Sequence, residues 1–449
     1  MCELFVDRRE ELELLRRAYS SRRKELIIIY GRRRIGKTRL VKESVRGVRH
    51  IYFFAEETLE KDNLDNFKRI VARGLKNKLI EKAELTWEEL FEILEENEYV
   101  VIIDEFPNLI KGNKGIVSKF QKIFDRSKRL KLVLTGSSIS IMESQVLGYK
   151  SPLYGRRTLS IKLRPLKFFH LKEFFPEKSW EELVRIFGIT DGIPAYIEEV
   201  KFRLESGEKL EEVFQPNKML FDEAEFLLRS ELREPGRYFK ILKAIAFGNT
   251  KFGEIVNYTG LPPSTVSQYL ENLRLLHIVK EEYPLGDIEK ARNRRYYISD
   301  LYFTFWFRFV YPNKTQLLEF GYIEDFEQEY NRYLGFVFER VGKEFLIEAG
   351  KKDMLPFKIT NVGKWWKKNE EIDIIGINEK EKKVLFVEVK WEKLRSRDIE
   401  AILSSLKRKA ELTRFKGWKK YYGIIAKEYR GRKGLVWDLK DFKEVLGDL

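Results

Sequence analysis

The 449-residue chain has one cysteine, Cys2, which excludes an intramolecular disulfide and a cysteine-built zinc site. It has no apolar run long enough to span a bilayer. The longest, such as LIIIY and YVVIID, are strand-sized, so a membrane partner is not expected. No low-complexity tract or internal repeat is present. The opening MCELFVDRREELELL lacks an apolar signal core, and the expectation is a cytoplasmic protein. Hydrophobic residues at 43% and aromatics at 14% exclude extended disorder.

Positive charge is in excess. Lys and Arg number 86 against 71 Asp and Glu, a net +15, which favours a polyanionic partner. A surface rich in Lys, Glu and Arg also suits a thermophile. The length suggests roughly three domains.

Residues 26–40 read LIIIYGRRRIGKTRL: an apolar strand, a glycine, four residues, then Gly-Lys-Thr and a helix start. This is a P-loop pattern in the right context. Its glycines let backbone N–H groups curl around phosphates, Lys37 can reach the β and γ phosphates, and Thr38 can hold Mg²⁺. The ATP-binding candidates are therefore Gly31, Arg32, Arg33, Arg34, Ile35, Gly36, Lys37, Thr38 and Arg39. A second strand, YVVIIDEF, ends in Asp104 and Glu105. Asp104 is placed to bind Mg²⁺ through water, and Glu105 to polarise the attacking water. A third, KLVLTGSS, ends in hydroxyls able to sense the γ-phosphate. The order implies a parallel sheet wound with helices, with ATP at the strand C-termini.

With FVDRREELELL at 5–15, GRRRIGKT at 31–38, DEFP at 104–107, LTGSS at 134–138 and PLYGRRT at 152–158, the chain resembles archaeal ATPases of the STAND branch of AAA+ proteins. The resemblance implies that Phe5, Asp7 and Arg8 lie near the adenine and that Ser137 is the sensor. It implies that Arg156 or Arg157 brings charge to the γ-phosphate, in its own chain or in trans within a homo-oligomer. DGIPAYIEEV, with Gly192 and Pro194, resembles the GxP motif that couples a helical lid to the nucleotide.

Residues 237–300 carry three helical patterns and then a hairpin pattern, the layout of a winged helix-turn-helix. Ser264, Thr265, Ser267, Gln268 and Tyr269 fall on the recognition helix, and Lys290, Arg292, Arg294 and Arg295 on the wing. All can touch phosphates or bases, so duplex DNA is the expected partner. Winged helices in multidomain ATPases also act as lids or protein-docking pieces. The aromatic run LYFTFWFRFVYP is assigned to packing, because few polar residues interrupt it.

Near the C-terminus, EEIDIIGINEKEKKVLFVEVKW spans 370–391. Alternation puts Phe386, Glu388 and Lys390 on one strand face. If Asp373 lies on an antiparallel partner, its carboxylate meets that of Glu388, and Mg²⁺ relieves their repulsion. A neighbouring lysine can then orient water or stabilise charge on an attacked phosphate. The elements run helix, strand, strand, strand, helix, strand. This constellation resembles the PD-(D/E)XK nuclease fold, with Asp373, Glu388 and Lys390 at the signature positions and Glu339 as the helical acid. Ile372 stands where that motif has proline. A plain cross-strand ion pair would also account for Glu388 and Lys390.

The expected architecture is α/β: a P-loop ATPase core over 1–165, a helical lid over 166–232, a winged helix with aromatic connector over 233–312, and a nuclease-like domain over 313–449. The expected function is an ATP-hydrolysing switch, with ATP and Mg²⁺ as cofactors, coupled to DNA and to a metal-dependent nuclease-like domain. Its rivals are a regulator with a catalytically inactive C-terminal docking module, and a motor or loader whose turnover DNA stimulates.

Overall fold

A computed structural model of the chain describes residues 5–232, 234–286, 293–431 and 434–447. The chain divides into two compact units, Met1–Pro165 and Leu166–Leu449.

In the first unit five strands form one parallel sheet: β1 Glu25–Tyr30, β2 His50–Phe54, β3 Val100–Asp104, β4 Lys131–Gly136 and β5 Leu159–Lys162. Their order is β2-β3-β4-β1-β5. β1, β3 and β4 are buried at every position, as expected of central parallel strands covered on both faces. The covering helices are amphipathic and locally specified. Trp87–Glu96, for instance, starts at a capping box between Thr86 and Glu89, which satisfies two otherwise orphaned N–H groups. Phe67 stacks on Trp87 at 5.1 Å, and Phe106 meets Phe120 edge-on at 5.0 Å. Because all strands run the same way, the loops after β1, β3 and β4 open at one edge of the sheet.

After the short helix Leu171–Phe174, the second unit continues with helices Trp180–Thr190, Pro194–Glu205 and Met219–Glu231. A winged helix follows: Pro235–Ala246, Phe252–Thr259 and Pro263–Leu275, then the antiparallel strands β6 Val279–Glu282 and β7 Arg295–Ile298. From Leu301 to Val310 every residue except Arg308 is buried. The Trp306 indole donates to the Phe221 carbonyl at 2.7 Å, and Tyr302 donates to that of Leu220 at 3.1 Å. The aromatic run is packing.

The helix Phe326–Lys351 then leads into a mixed sheet: β8 Asn361–Lys367, β9 Glu370–Asn378, β10 Lys383–Leu394, β11 Lys419–Tyr429 and β12 Leu435–Trp437. The order is β12-β11-β10-β9-β8. β8, β9 and β10 are antiparallel neighbours, while β10, β11 and β12 are parallel. The parallel pair β10 and β11 needs a crossover, which the helix Ser396–Ala410 supplies. That helix covers one face, with Leu406 and Ala410 against Phe386 and Ile375. Phe326–Lys351 covers the other, where a Cβ on Gly342 would stand 3.3 Å from Val389. Among the described residues no helix is long and apolar enough to cross a membrane.

Candidate functional site

The loop after β1 is shaped by close approach. A Cβ on Gly31 would lie 2.6 Å from the Leu163 carbonyl oxygen, so no larger residue fits. Gly36 has φ 92°, a left-handed conformation natural to glycine, and precedes the helix Lys37–Ser44. Ile35 is buried and anchors the loop, while the Arg33 and Arg34 side chains are exposed. The Lys37 ammonium donates to the carbonyls of Gly31 at 2.9 Å and Arg32 at 3.0 Å. Burial lowers its pKa, against the pull of Glu105 and Asp104. Backbone N–H groups at a helix start and a buried ammonium are the donors a polyphosphate needs.

Asp104, at the end of β3, is 1% exposed. Its Oδ2 accepts the Thr38 hydroxyl at 2.7 Å and the Tyr52 hydroxyl at 2.5 Å. Its Oδ1 accepts the Thr135 hydroxyl and, at 3.1 Å, the Glu105 N–H. Burial raises the Tyr52 pKa, and the hydrogen bond to Asp104 adds to it. Glu105 has φ 56° and accepts from the Ser137 N–H at 3.0 Å and hydroxyl at 2.7 Å. The strand order makes these meetings, since β4 lies between β1 and β3. A threonine hydroxyl beside a buried carboxylate is a hard-oxygen donor set of the kind Mg²⁺ takes with a nucleotide. These residues fit that ion.

At the cradle's flank, Phe5 lies 6.0 Å from the Arg39 guanidinium. Arg8 is buried and donates to the Arg164 carbonyl. Ser137 stands where expected, at the tip of β4. Arg156 does not stand by the phosphates. Its guanidinium grips Asp125 through two bonds of 2.7 and 2.9 Å. The N–H of Thr158 bonds Leu26, so Arg156 and Arg157 precede β5 at the N-terminal edge of the sheet. The cradle is at the other edge, roughly 16 Å along a six-residue strand, and the pair with Asp125 holds Arg156 away from it. The expectation of Arg156 at the γ-phosphate of its own chain is corrected accordingly, while the Arg157 charge acts on Tyr30, at the end of β1 that leads into the cradle.

In the second unit Pro194 opens the helix Pro194–Glu205. Gly192 has φ 71°, and a Cβ there would lie 2.0 Å from the Leu166 carbonyl oxygen. Asp191, just before it, is fully buried with the Arg340 guanidinium at 2.6 Å. The GIP turn is thus tightly held.

On the recognition helix Ser264, Ser267 and Gln268 are exposed and Thr265 is half-buried. Tyr269 instead packs on Tyr238 at 4.2 Å. The wing differs more. Arg295 is buried, pairs with Glu371 at 2.6 Å and lies 4.6 Å over Trp366. Arg294 pairs with Glu281 at 3.1 Å. Lys290 and Arg292 lie outside the described residues. Leu285 N–H bonds the Lys364 carbonyl at 2.7 Å, and the Trp366 indole bonds the Asn293 carbonyl at 2.9 Å. The hairpin is therefore docked on β8 and β9, with Arg295 in that joint and Arg294 paired within the hairpin. Alternation alone could not foresee this.

Asp373 and Glu388 do converge. Asp373 accepts the Val389 N–H at 2.8 Å, and Lys390 lies 3.9 Å from Asp373 and 3.1 Å from Glu388. Burial, then the charges of Glu339 and Glu388, push the Asp373 carboxyl well above its usual range. Burial opposes ionisation of Glu388, yet Lys409 at 2.6 Å and Lys390 hold it below the usual range. Glu339 is turned to Lys364, whose pKa rises against burial through that pairing. Among the described residues no three carboxylate, histidine or cysteine groups stand close enough to hold a metal ion. Asp373 and Glu388 suit a divalent cation in donor type and fall short in number, and Lys390 and Lys409 pair with Glu388 while Lys364 pairs with Glu339. The expectation of Glu339 as a third acid facing the same ion is not met.

A family model described as an ATPase domain predominantly from Archaea matches residues 5–200. The bacterial regulatory protein, arsR family, model matches 237–281, and one for archaeal and bacterial proteins of unknown function matches 306–402. "Uncharacterized protein MJECL04" of Methanocaldococcus jannaschii is 46% identical over 447 residues, 98% of this chain and 100% of that protein. The chain belongs to an archaeal P-loop ATPase family. Another protein of this organism, "Uncharacterized ATP-binding protein MJ0423", is 55% identical over 40 residues, 9% of this chain and 68% of that protein. Among solved structures, Aeropyrum pernix Orc1 in complex with DNA is 14% identical at TM-score 0.34, covering 71% of this chain and 94% of its own. Cdc6p from Pyrobaculum aerophilum is 15% identical at TM-score 0.36, covering 72% and 97%.

The α/β architecture matches the sequence expectation: a parallel P-loop sheet, a winged helix and a mixed C-terminal sheet. Three residues of the two clusters carried no signal in the sequence: Tyr52, Lys364 and Lys409. Each reaches its acid from an element distant in sequence, so only strand order or helix packing could reveal it.

Proposed function

We propose that this ATPase is an ATP-operated switch of the STAND type that acts on duplex DNA in the cytosol. The carrying observation is the convergence of Lys37, Thr38, Asp104, Glu105 and Ser137 at one edge of the first sheet. Gly31 to Arg39 would hold the ATP phosphates, with Phe5 and Arg8 toward the base. Thr38 and Asp104 would hold Mg²⁺, which neutralises charge on the β and γ phosphates. Glu105, released from Ser137, would orient the attacking water. Residues 166–232 would act as the lid, with Pro194 answering to the nucleotide. Arg156 could then meet a γ-phosphate only on a neighbouring copy.

The exposed hydroxyls and amide of Ser264, Ser267 and Gln268 would contact DNA within 233–312. In 313–449 Asp373, Glu388 and Lys390 would form a phosphodiester-cleaving site of nuclease type. A second reading treats this cluster as a docking surface without catalysis. What favours it is Lys390 seated between the two carboxylates.

The deciding experiment incubates plasmid and linear DNA with Mg²⁺ or Mn²⁺, with and without ATP, using wild type, Asp373→Ala and Lys37→Ala. Cutting lost in Asp373→Ala supports the nuclease reading. ATP turnover without any cutting by wild type leaves the docking reading. Absence of ATP turnover in wild type overturns the switch.

A further inference from the structure

The Asp104 carboxylate is already full. It accepts Thr38 and Tyr52 on Oδ2, and Thr135 and the Glu105 N–H on Oδ1. An ionised carboxylate offers about four lone-pair positions, and four donors occupy them. With Asp104 buried, bulk water does not compete for them.

The four donors differ in what they can give up. The Glu105 N–H is backbone. Thr135 is fully buried in the central strand β4. Thr38 can keep its proton on Asp104 while its oxygen lone pair turns to a cation. Tyr52 comes from β2, the edge strand, where Phe54 pairs with Asp104 and Tyr52, two residues earlier, points to the same face. Its ring is half-buried, with the Lys42 ammonium 5.3 Å from its centre. Tyr52 is the donor that can yield without breaking the sheet or the cradle.

We infer that Tyr52 is a positioning residue that holds the place on Asp104 Oδ2 which a water of the hydrated cation takes when Mg²⁺ and nucleotide bind. It thereby sets how much Mg²⁺ the site needs. The inference rests on the Mg²⁺–ATP reading of the cradle.

The test measures binding of a fluorescent ATP analogue to the full chain across free Mg²⁺ concentrations. In Tyr52→Phe the half-saturating Mg²⁺ concentration falls about three- to tenfold, the scale of one hydrogen bond. Analogue affinity in EDTA stays at the wild-type value, a split that general damage to the fold would not produce. An unchanged or raised Mg²⁺ requirement in Tyr52→Phe overturns the inference. The Asp104→Asn background gives a second measure: adding Tyr52→Phe there leaves the Mg²⁺ requirement where Asp104→Asn alone put it. A further shift in the double variant shows that Tyr52 acts elsewhere. Wild-type binding that ignores Mg²⁺ overturns both this inference and the Mg²⁺–ATP reading. Wild-type dependence on Mg²⁺ with a neutral Tyr52→Phe overturns this inference alone.

Discussion

Glu105 accepts both the backbone N–H and the hydroxyl of Ser137, at 3.0 and 2.7 Å, across 32 residues of sequence. The acid proposed to orient water is thus tied to the residue proposed to sense phosphate. A carboxylate offers about four lone-pair positions, and these two donors both fall on one oxygen of Glu105.

Glu105→Gln keeps an acceptor for Ser137 and removes the base. Its ATP turnover falls by about 10²–10⁴, while nucleotide affinity stays within about twofold. Phosphate release and filter binding together check this. A variant that hydrolyses normally removes Glu105 from the chemistry.

Lys37→Ala removes the ammonium that bonds the Gly31 and Arg32 carbonyls. ATP affinity falls by about tenfold or more, at least about 1.4 kcal/mol, and adenosine binding is less affected because it has no phosphates. Calorimetric titration of ATP against adenosine separates the two.

Arg295→Ala and Gln268→Ala should part company. Arg295 is buried between Glu371 and Trp366, so its loss destabilises the second unit by about 2 kcal/mol. DNA affinity, measured at a temperature where the variant is folded, changes little. Gln268 is exposed, so its loss weakens duplex binding without lowering the melting temperature. Melting curves and fluorescence anisotropy decide. The reverse pattern would return Arg295 to the DNA interface.

Glu344 gives a pH dependence of known sign. Burial raises its pKa, against Arg340 and the Phe168 N–H that it accepts at 2.7 Å. A raised carboxyl binds its proton more tightly in the folded state. Stability therefore falls as pH rises from about 4.3, the unfolded value, through the folded one, and is level above it. Glu344→Gln keeps the acceptor and cannot ionise, so its melting temperature gains on wild type as pH rises from 4 to 8. Parallel curves would show that Glu344 does not titrate in that range.

Much of the molecule was legible in the sequence, for local reasons. The apolar runs LIIIY, VVIID and KLVLTG read as buried parallel strands because nothing polar interrupts them. The P-loop was legible because its glycines and Lys37 are adjacent in the chain. Asp373, Glu388 and Lys390 were found together because a short antiparallel turn joins β9 to β10. Arg295 and Arg156 were misplaced because charge on a strand or turn does not state its partner. Glu371 and Trp366 took Arg295, and Asp125 took Arg156.

The sequence by itself determined the elements, the phosphate loop and the acids at the strand tips, since each follows from residues close along the chain. Only the tertiary structure decided which donors fill Asp104, which lysines neutralise Asp373 and Glu388, and which arginines are occupied. Those outcomes depend on strand order and helix packing, which bring together side chains that no local pattern connects.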